Sequence, residues 1–488
     1  MTFLLQNCHN YSLAFNPHNR NFIGMSADNH PTTTTKNKNF WQRFELWQQI
    51  LIALILGIIV GLVFGDDTAN TQIAWLKAIH PYGETLVMDF FKPVGDLFVN
   101  AIKMIVVPVV FVSIVCGVVS IANPATMGRM GLKTLSIFVI TMALASLIGI
   151  SFAKMTNPGM GIPEEKKLAV IGSIQHDGPI PVQPTIVETI TSIIPANPVE
   201  AMATSNVLQI VVFAFLLGIA INCAGERGKP IANLFNALAS VIQHIPRLVM
   251  RFAPLGVFAL MATVAASFGL TILRDLLLSV VTIYAGCIVF ALVVYSLGLM
   301  LYGGLSPRRF FSGMAEAMAF AYSTTSSSAT LPYTAHCATY NLGVSKRITD
   351  FVVPLGATVN MNGLAVYLAV STIFAVNLYG LELGTTEYIL LIITGTLGAI
   401  GAAGVPGSGL VVMSMAMSSV GLNPGQIAVV IALFAGVDRL IDMMTTTINI
   451  TGDAFTAVMI AKSENELDMK VYNASTIPYN KQLIKDYE

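Results

Sequence analysis

The sequence predicts an all-α polytopic membrane protein, on three observations. Charged residues are 11% of the 488 residues, under half of the roughly 25% usual in soluble proteins. Hydrophobic residues are 55%, and the mean hydropathy is +0.71. Apolar runs recur at spanning length, such as LIALILGIIVGLVF (51–64) with its flanks and FVITMALASLIGISFA (138–153). A spanning helix needs about 20 mostly apolar residues.

Lys+Arg and Asp+Glu balance at 26 each and no basic tract is present, so nothing points to nucleic acid. Cys8, Cys116, Cys223, Cys287 and Cys337 are scattered, odd in number and form no CxxC pair. That pattern gives no disulfide frame or zinc site, and most of these thiols read as small core hydrophobes. Residues 1–41 are polar and rich in Asn, His and Thr. They lack the basic, apolar, small-residue order of a signal peptide and read as a disordered cytoplasmic tail, with Met25 an alternative start.

Spanning helices are predicted at about Leu46–Phe64, Val94–Ile121 and Leu132–Lys154, the last stopped by Asn157-Pro158-Gly159. A polar, proline-rich stretch over about 157–200 reads as an exposed loop. Further segments follow at about 203–223, 231–269 (broken near Pro246 or Pro254) and 273–303. Basic residues cluster at 36–43, Arg129 and Lys133, Arg247 and Arg251, and Arg308 and Arg309. If these face the cytoplasm, both termini lie inside and the long loop outside.

From residue 310 the pattern changes. MAEAMAFAYSTTSSSATLPYTAHCATYN (314–341) and LLIITGTLGAIGAAGVPGSGLVVMSMAMSSVGL (390–422) are apolar at both ends, with small residues in the middle. Each is too interrupted for one straight helix and suggests a hairpin that enters and leaves on one side of the membrane. Each is followed by a helix with polar residues inside it, VVPLGATVNMNGLAVYLAV (352–370) and VDRLIDMMTTTINITGDAF (437–455). Six plain segments and these two give eight transmembrane helices plus two re-entrant hairpins. Paired interrupted segments in two halves point to a transporter's binding site, because irregular backbone at membrane depth survives only where protein or a cavity satisfies it.

At about 100° per residue, Asp438, Asp442, Thr445, Thr446, Asn449 and Asp453 share one helical face. An aspartate at mid-bilayer costs about 2.5–3.5 kcal/mol, so three need cationic partners. A substrate ammonium and a metal ion are the natural ones. A structural alternative pairs Asp438 and Asp442 with Arg439, or places them in a watery vestibule.

These motifs resemble the glutamate transporter family, the dicarboxylate/amino acid:cation symporters, over about residues 42–463. SSSATLP (326–332), GATVNMNG (356–363), GAAGVPGSG (401–409) and DxxxDxxxTxxNxxGD (438–453) carry the resemblance, in the family's order. It implies inverted repeats and a transporter, not an enzyme. Asp442 would hold the substrate ammonium, with Thr446 and Asn449 near the amino acid backbone and Asn449 reaching its carboxylate. Ser326, Ser327 and Ser328 in the first tip would belong to the substrate site, with Ser327 donating to that carboxylate. Gly404, Val405 and Gly409 would line the substrate site from the second tip, which would be the external gate, and Leu364 and Thr445 would complete the pocket. Asp453, Asn449 and the carbonyls of Gly356 and Asn360 would ligate a co-transported sodium ion. Thr358, Met361 and carbonyls near Ala399 and Ala402 would hold a second. Hard cations take oxygen ligands.

The resemblance also implies a homotrimer in the plasma (inner) membrane, in contact with its lipid. Residues 42–250 would be mostly scaffold, with the third helix moving. Residues 251–310 would add membrane helices, 311–463 would be the mobile transport core, and 464–488 a cytoplasmic tail.

Two departures bear on the cargo. Acidic-substrate members carry an arginine where this chain has Thr445, and Leu364 replaces a common threonine. A second substrate carboxylate would be buried there without a cation, at a cost of several kcal/mol. A small neutral amino acid such as alanine, serine or threonine is therefore expected. The alternatives are an acidic amino acid or C4-dicarboxylate served by Arg439 or by proton coupling and, from another class, an ion channel. A further sodium site of the family would fall on Phe138, Thr141, Met142 and Asn362, which lack the usual hydroxyls and carboxylate, so weaker or fewer coupled ions are expected. An intramembrane aspartyl protease is disfavoured, since ITGD (450–453) departs from GxGD.

Overall fold

The computed structural model describes residues 44–65, 83, 85–120, 124–162, 194–204, 207–242, 244–402, 404 and 407–474. All but Phe44 belong to one unit, residues 45–488. The N-terminal tail, the centre of the 157–200 loop, Val405 and residues 475–488 lie outside the described residues. Among those described the chain is helical, and the only β element is an isolated bridge between Val344 and Leu467.

The first helix, α1 (Leu46–Phe64), carries glycine at every fourth position, Gly57, Gly61 and then Gly65 just past its end. A Cβ on Gly61 would stand 2.3 Å from the Ala262 carbonyl oxygen. Lipid offers no hydrophobic drive for helix pairing, so spanning helices associate through close backbone contact at small residues. That stripe seats α1 on a later helix near Phe258, Ala262 and Ala266.

A π-helical turn (Val87–Phe91) leads into α2 (Lys92–Ser120). Next comes α3 (Pro124–Thr156), longer than predicted at its start. Its end is the expected one: Asn157 and Gly159 take positive φ, and Asn377 Nδ2 donates to Pro158 O at 2.8 Å. Four helices follow, α4 (Pro198–Ala203), α5 (Val207–Cys223), α6 (Lys229–Ile242) and α7 (His244–Met250).

The helix that receives α1 is α8 (Ala253–Phe290). The segments expected at 231–269 and 273–303 are divided at Gly269, whose backbone is non-helical (φ 67°, ψ −162°), and the break expected within the first falls near Pro254. The chain breaks at 251–252, with Pro254 in the first turn of α8. Proline is tolerated in a first turn because its missing N–H has no partner there. Two π-helical stretches, Ala291–Tyr295 and Gly298–Gly303, extend α8.

Two helix pairs fold back on themselves. The first is α9 (Pro307–Thr324) with α10 (Ser327–His336) and its π-helical continuation Cys337–Asn341. Thr325 turns the chain at φ 53°. Ser326 caps α10 by accepting from Ala329 N at 3.2 Å. The return is tied where Asn341 Nδ2 donates to Gly313 O at 2.9 Å. After α11 (Lys346–Val359) and α12 (Asn362–Tyr379), the second pair is α13 (Thr385–Gly401) with α14 (Ser408–Ser418). The Thr394 and Ser419 hydroxyls meet at 2.9 Å. The 40-residue α15 (Pro424–Ser463) follows, started by a reciprocal cap between Asn423 and Gln426.

Two sequence expectations are corrected. VVPLGATVNMNGLAVYLAV is not one helix: Asn360 (ψ 82°) and Met361 (ψ 68°) break it into α11 and α12. Nor is 464–488 a tail from its beginning. Glu466 pairs with Arg347, a short helix α16 (Met469–Tyr472) forms, and Arg309 Nε donates to Tyr472 O at 2.9 Å.

Four stretches are long and apolar enough to cross a membrane by length and composition: Val87–Val119, Arg129–Thr156, Gly269–Gly303 and Lys346–Tyr379. The other apolar helices among the described residues are shorter. Nearly all of α12 is buried, as expected of a helix that is apolar all round. Cys287 and Cys337 are buried, Cys116 is half-buried and Cys223 is exposed, so only some thiols are core residues.

Candidate functional site

The polar stripe of α15 faces inward: Asp438, Asp442, Thr445, Thr446, Asn449 and Asp453 are all buried. Around it converge the irregular parts of the chain, namely the two folded-back tips and the break between α11 and α12. Thr325, Ser327, Met361, Leu364 and Gly404 line one side of a small cleft. Ser408, Asp442, Thr445, Thr446 and Asn449 line the rest. Asp442 is the only charged side chain in that lining. The open volume is about 10 Å³, room for about one water molecule.

The tips close over each other. Ser326 Oγ donates to Gly404 O at 3.0 Å, and Ser328 N donates to the same carbonyl at 3.2 Å. Gly407 N donates to Asp442 Oδ2 at 2.8 Å. The second tip thus caps the carboxylate and leans on the first.

Of the predicted substrate residues, the cleft collects Ser327, Leu364, Gly404, Asp442, Thr445, Thr446 and Asn449. Ser326 and Ser328 clamp the Gly404 carbonyl and are not in the lining. Gly409 lies against the Tyr367 ring, where a Cβ would come within 2.6 Å. Val405 is outside the described residues. Met361, expected at a cation, lines the substrate cleft. Sequence reasoning missed Thr325 and Ser408. Both flank the small-residue tips, and that adjacency was the available signal.

A second polar cluster surrounds Asp453. Its Oδ1 accepts from Asn360 Nδ2 at 3.0 Å. Asn362 Nδ2 donates to Asn360 Oδ1 and to Tyr295 Oη, each at 3.0 Å, and Tyr295 Oη donates to Ile448 O at 3.0 Å. Asn449 Oδ1 accepts from Gly363 N at 2.8 Å. Gly356 sits so close that a Cβ would stand 2.3 Å from Asp453 Oδ1. Asp453 Oδ2 and Asn362 Oδ1 are buried without a hydrogen-bond partner. Buried acceptors are nearly always paired, and unpartnered carboxylate and amide oxygens are of the kind that hard cations take as ligands.

The other predicted cation residues are differently engaged. Thr358 Oγ1 turns back to Leu355 O at 3.0 Å, and Ala399 O accepts from Ala402 N at 3.4 Å. Phe138 and Met142 are fully buried. Thr141 Oγ1 donates to Ile137 O at 2.8 Å.

Arg439 reaches the first tip, donating to Thr325 Oγ1 and towards Thr324 O at 3.5 Å. Its Nε is buried without a partner. Asp438 Oδ1 instead accepts from Tyr367 Oη at 3.1 Å. The structural alternative that paired Arg439 with the aspartates is therefore not what forms.

Residues 46–463 match the family model described as the sodium:dicarboxylate symporter family. The chain belongs to this family. A sodium:dicarboxylate symporter family protein is a transporter and not an enzyme, and the apolar helices are those of a multi-pass membrane protein. The chain is similar to the proton/glutamate-aspartate symporter of Escherichia coli (strain K12), with 33% identity over 91% of this chain and 98% of that protein. It is similar to the proton/sodium-glutamate symport protein of Geobacillus stearothermophilus, with 32% identity over 87% and 96%. It is also similar to the C4-dicarboxylate transport protein of Bacillus subtilis (strain 168), with 30% identity over 87% and 94%. These names give acidic cargo and both protons and sodium as coupling ions, whereas the sequence reading expected neutral cargo and sodium.

Proposed function

We propose that this symporter carries a neutral amino acid with a cation, sodium in the first instance. The carrying observation is the cleft lining, in which Asp442 is the one charge; Thr445, which the resemblance aligns with the arginine of acidic-substrate members, supports the reading by offering a hydroxyl and no cation. The substrate ammonium pairs with Asp442, and its carboxylate meets Asn449, Thr446 and the Ser327 end of α10. A helix start favours an anion there. Buried in low dielectric, an ammonium–carboxylate pair is worth more than in water. An unpaired second carboxylate would carry its full desolvation cost.

Asp453, Asn449 and the carbonyls of Gly356 and Asn360 hold the first sodium ion, and Thr358, Met361, Ala399 and Ala402 the second. The folded-back pairs act as re-entrant hairpins within eight spanning helices. The second tip opens to admit cargo, and the core at 311–463 moves against a scaffold in 42–250, in a homotrimer with cytoplasmic termini. The closed tips and the small cleft support the opening of the second tip, because a cleft with room for about one water molecule admits cargo only when the tips part.

A second reading has one specific observation behind it. Arg439 contacts Thr325, which lines the cleft. A rotation of that guanidinium past Thr325 supplies a cation for an acidic cargo, the kind named for the three relatives above, with protons as coupling ion. Uptake of labelled amino acids into proteoliposomes under an imposed sodium gradient tests the proposal. Accumulation that collapses with the gradient supports it. Conductance without accumulation identifies a channel instead.

A further inference from the structure

A cleft of about 880 Å³ opens between α3, the stretch 291–303 and the C-terminal end of α15. Its walls are aliphatic and face outward: Leu301 is 81% exposed, Ile140 59% and Leu297 48%. The cleft runs along α3 from Lys133 to Ile148, about 22 Å at 1.5 Å per residue. That exceeds the roughly 15 Å depth of one leaflet's hydrocarbon.

Polar groups gather at one end, where Lys133, Ser136 and Ser463 form the mouth. There Arg129 and Lys133 both bind Glu464, at 2.5 and 2.7 Å. Two cations against one carboxylate leave a net positive charge. Lys133 Nζ serves Glu464 and Ser463, but Arg129 commits only Nη2 and is 77% exposed at its side chain. Guanidinium has five N–H donors, so it retains donors for an anion.

A long apolar slot with a cationic mouth has the shape and charge of a lipid's complement. The geometry points to a binding site for one glycerophospholipid with an anionic headgroup. An acyl chain lies along Ile140, Leu144 and Leu297, and the headgroup phosphate sits on Arg129 and Lys133. Arginine holds phosphate through paired donors, and basic residues near a membrane surface attract anionic lipid. The inner wall of the slot is Phe455, which stacks on Tyr295 at 4.9 Å. The chain therefore rests against the aromatic pair that holds Asn362.

Lipid retention tests this site on the full chain. The protein is reconstituted with phosphatidylcholine alone or mixed with phosphatidylglycerol, re-extracted, and its bound lipid counted by native mass spectrometry. Wild type retains phosphatidylglycerol in preference to phosphatidylcholine. Arg129→Ala, at an exposed position, weakens that retention about fivefold. Leu297→Trp fills the slot and removes the bound lipid. Equal retention of the two lipids by wild type overturns the proposal, as does unchanged retention in Arg129→Ala. If Leu297→Trp folds and still retains phosphatidylglycerol, the slot is not the site.

Discussion

The backbone N–H of Gly407 donates to Asp442 Oδ2 at 2.8 Å, so the second tip holds the carboxylate proposed above to pair with the cargo's amine. A backbone N–H and an ammonium both seek this carboxylate, which has about four acceptor sites. On the proposed reading, gate opening and cargo recognition therefore meet at one side chain.

Asp442→Asn separates the two roles. The amide oxygen still accepts from Gly407, so the closed tip survives, while the charge partner of the ammonium is lost. Losing a hydrogen bond to a charged group costs about 1.5–3 kcal/mol, so cargo affinity falls about 10- to 150-fold with thermal stability kept. Calorimetric titration checks this, and unchanged affinity contradicts the assignment.

Two glycines in the second tip are held for different reasons. At Gly404 a Cβ would stand 2.6 Å from Ala357 O, whereas Gly407 has φ +80° and its nearest neighbour, Met250 Sδ, is 3.7 Å away. Gly404→Ala therefore pushes the tip off by contact. Gly407→Ala pays only a left-handed backbone cost of about 1–2 kcal/mol. In a Ser327→Cys background, Gly404→Ala speeds thiol labelling in the cleft more than Gly407→Ala does. Equal labelling contradicts the closed-tip account.

Asp453→Asn removes the charge from the cluster with two orphan oxygens. A charge-assisted ligand is worth at least about 1.4 kcal/mol, so the sodium concentration for half-maximal uptake rises about tenfold or more. Uptake measured against sodium at fixed pH checks this. An unaltered sodium curve together with an altered pH curve assigns Asp453 to proton coupling.

The C-terminal segment gives a pH prediction outside the membrane-spanning helices. Hydrogen bonds from Arg347 and then Ser345 hold Glu466 below the usual carboxylate range, and Lys133 and Arg129 do the same for Glu464. A carboxylate whose pKa is lowered by folding stabilises fully above its unfolded value, about 4.3. That contribution fades as pH falls through the lower folded value. Glu466→Gln thus lowers the unfolding midpoint at neutral pH and has no effect well below about pH 4. A difference that persists in acid contradicts the anchoring role.

Much of the site was legible because its signals are local. The aspartate stripe of α15 follows from helical period alone, and the tips announced themselves as small residues between apolar arms. The break at Asn360–Met361 was missed because the flanking apolar residues suit one continuous helix. The polar NMN run was read as ligands and not also as a stop, and what holds the break open is Asp453, 93 positions on. Ser326 shows the converse error: a serine run looked like substrate donors, but its first member is spent on capping α10 and clamping Gly404. Which hydroxyl faces the cleft depends on how two distant tips meet, and periodicity carries no information on that. The packed start of the C-terminal segment was missed for the same reason, since Arg347 and Glu466 are 119 positions apart.

Cargo charge is the central claim, because it rests on the single cleft position held by Thr445. Competition against labelled serine uptake by unlabelled alanine, threonine, aspartate and malate, in wild-type proteoliposomes under a sodium gradient, tests it directly. The account predicts strong inhibition by alanine and threonine and little by aspartate or malate. Strong inhibition by aspartate or malate with none by alanine would contradict it and assign Arg439 as the acid-binding cation.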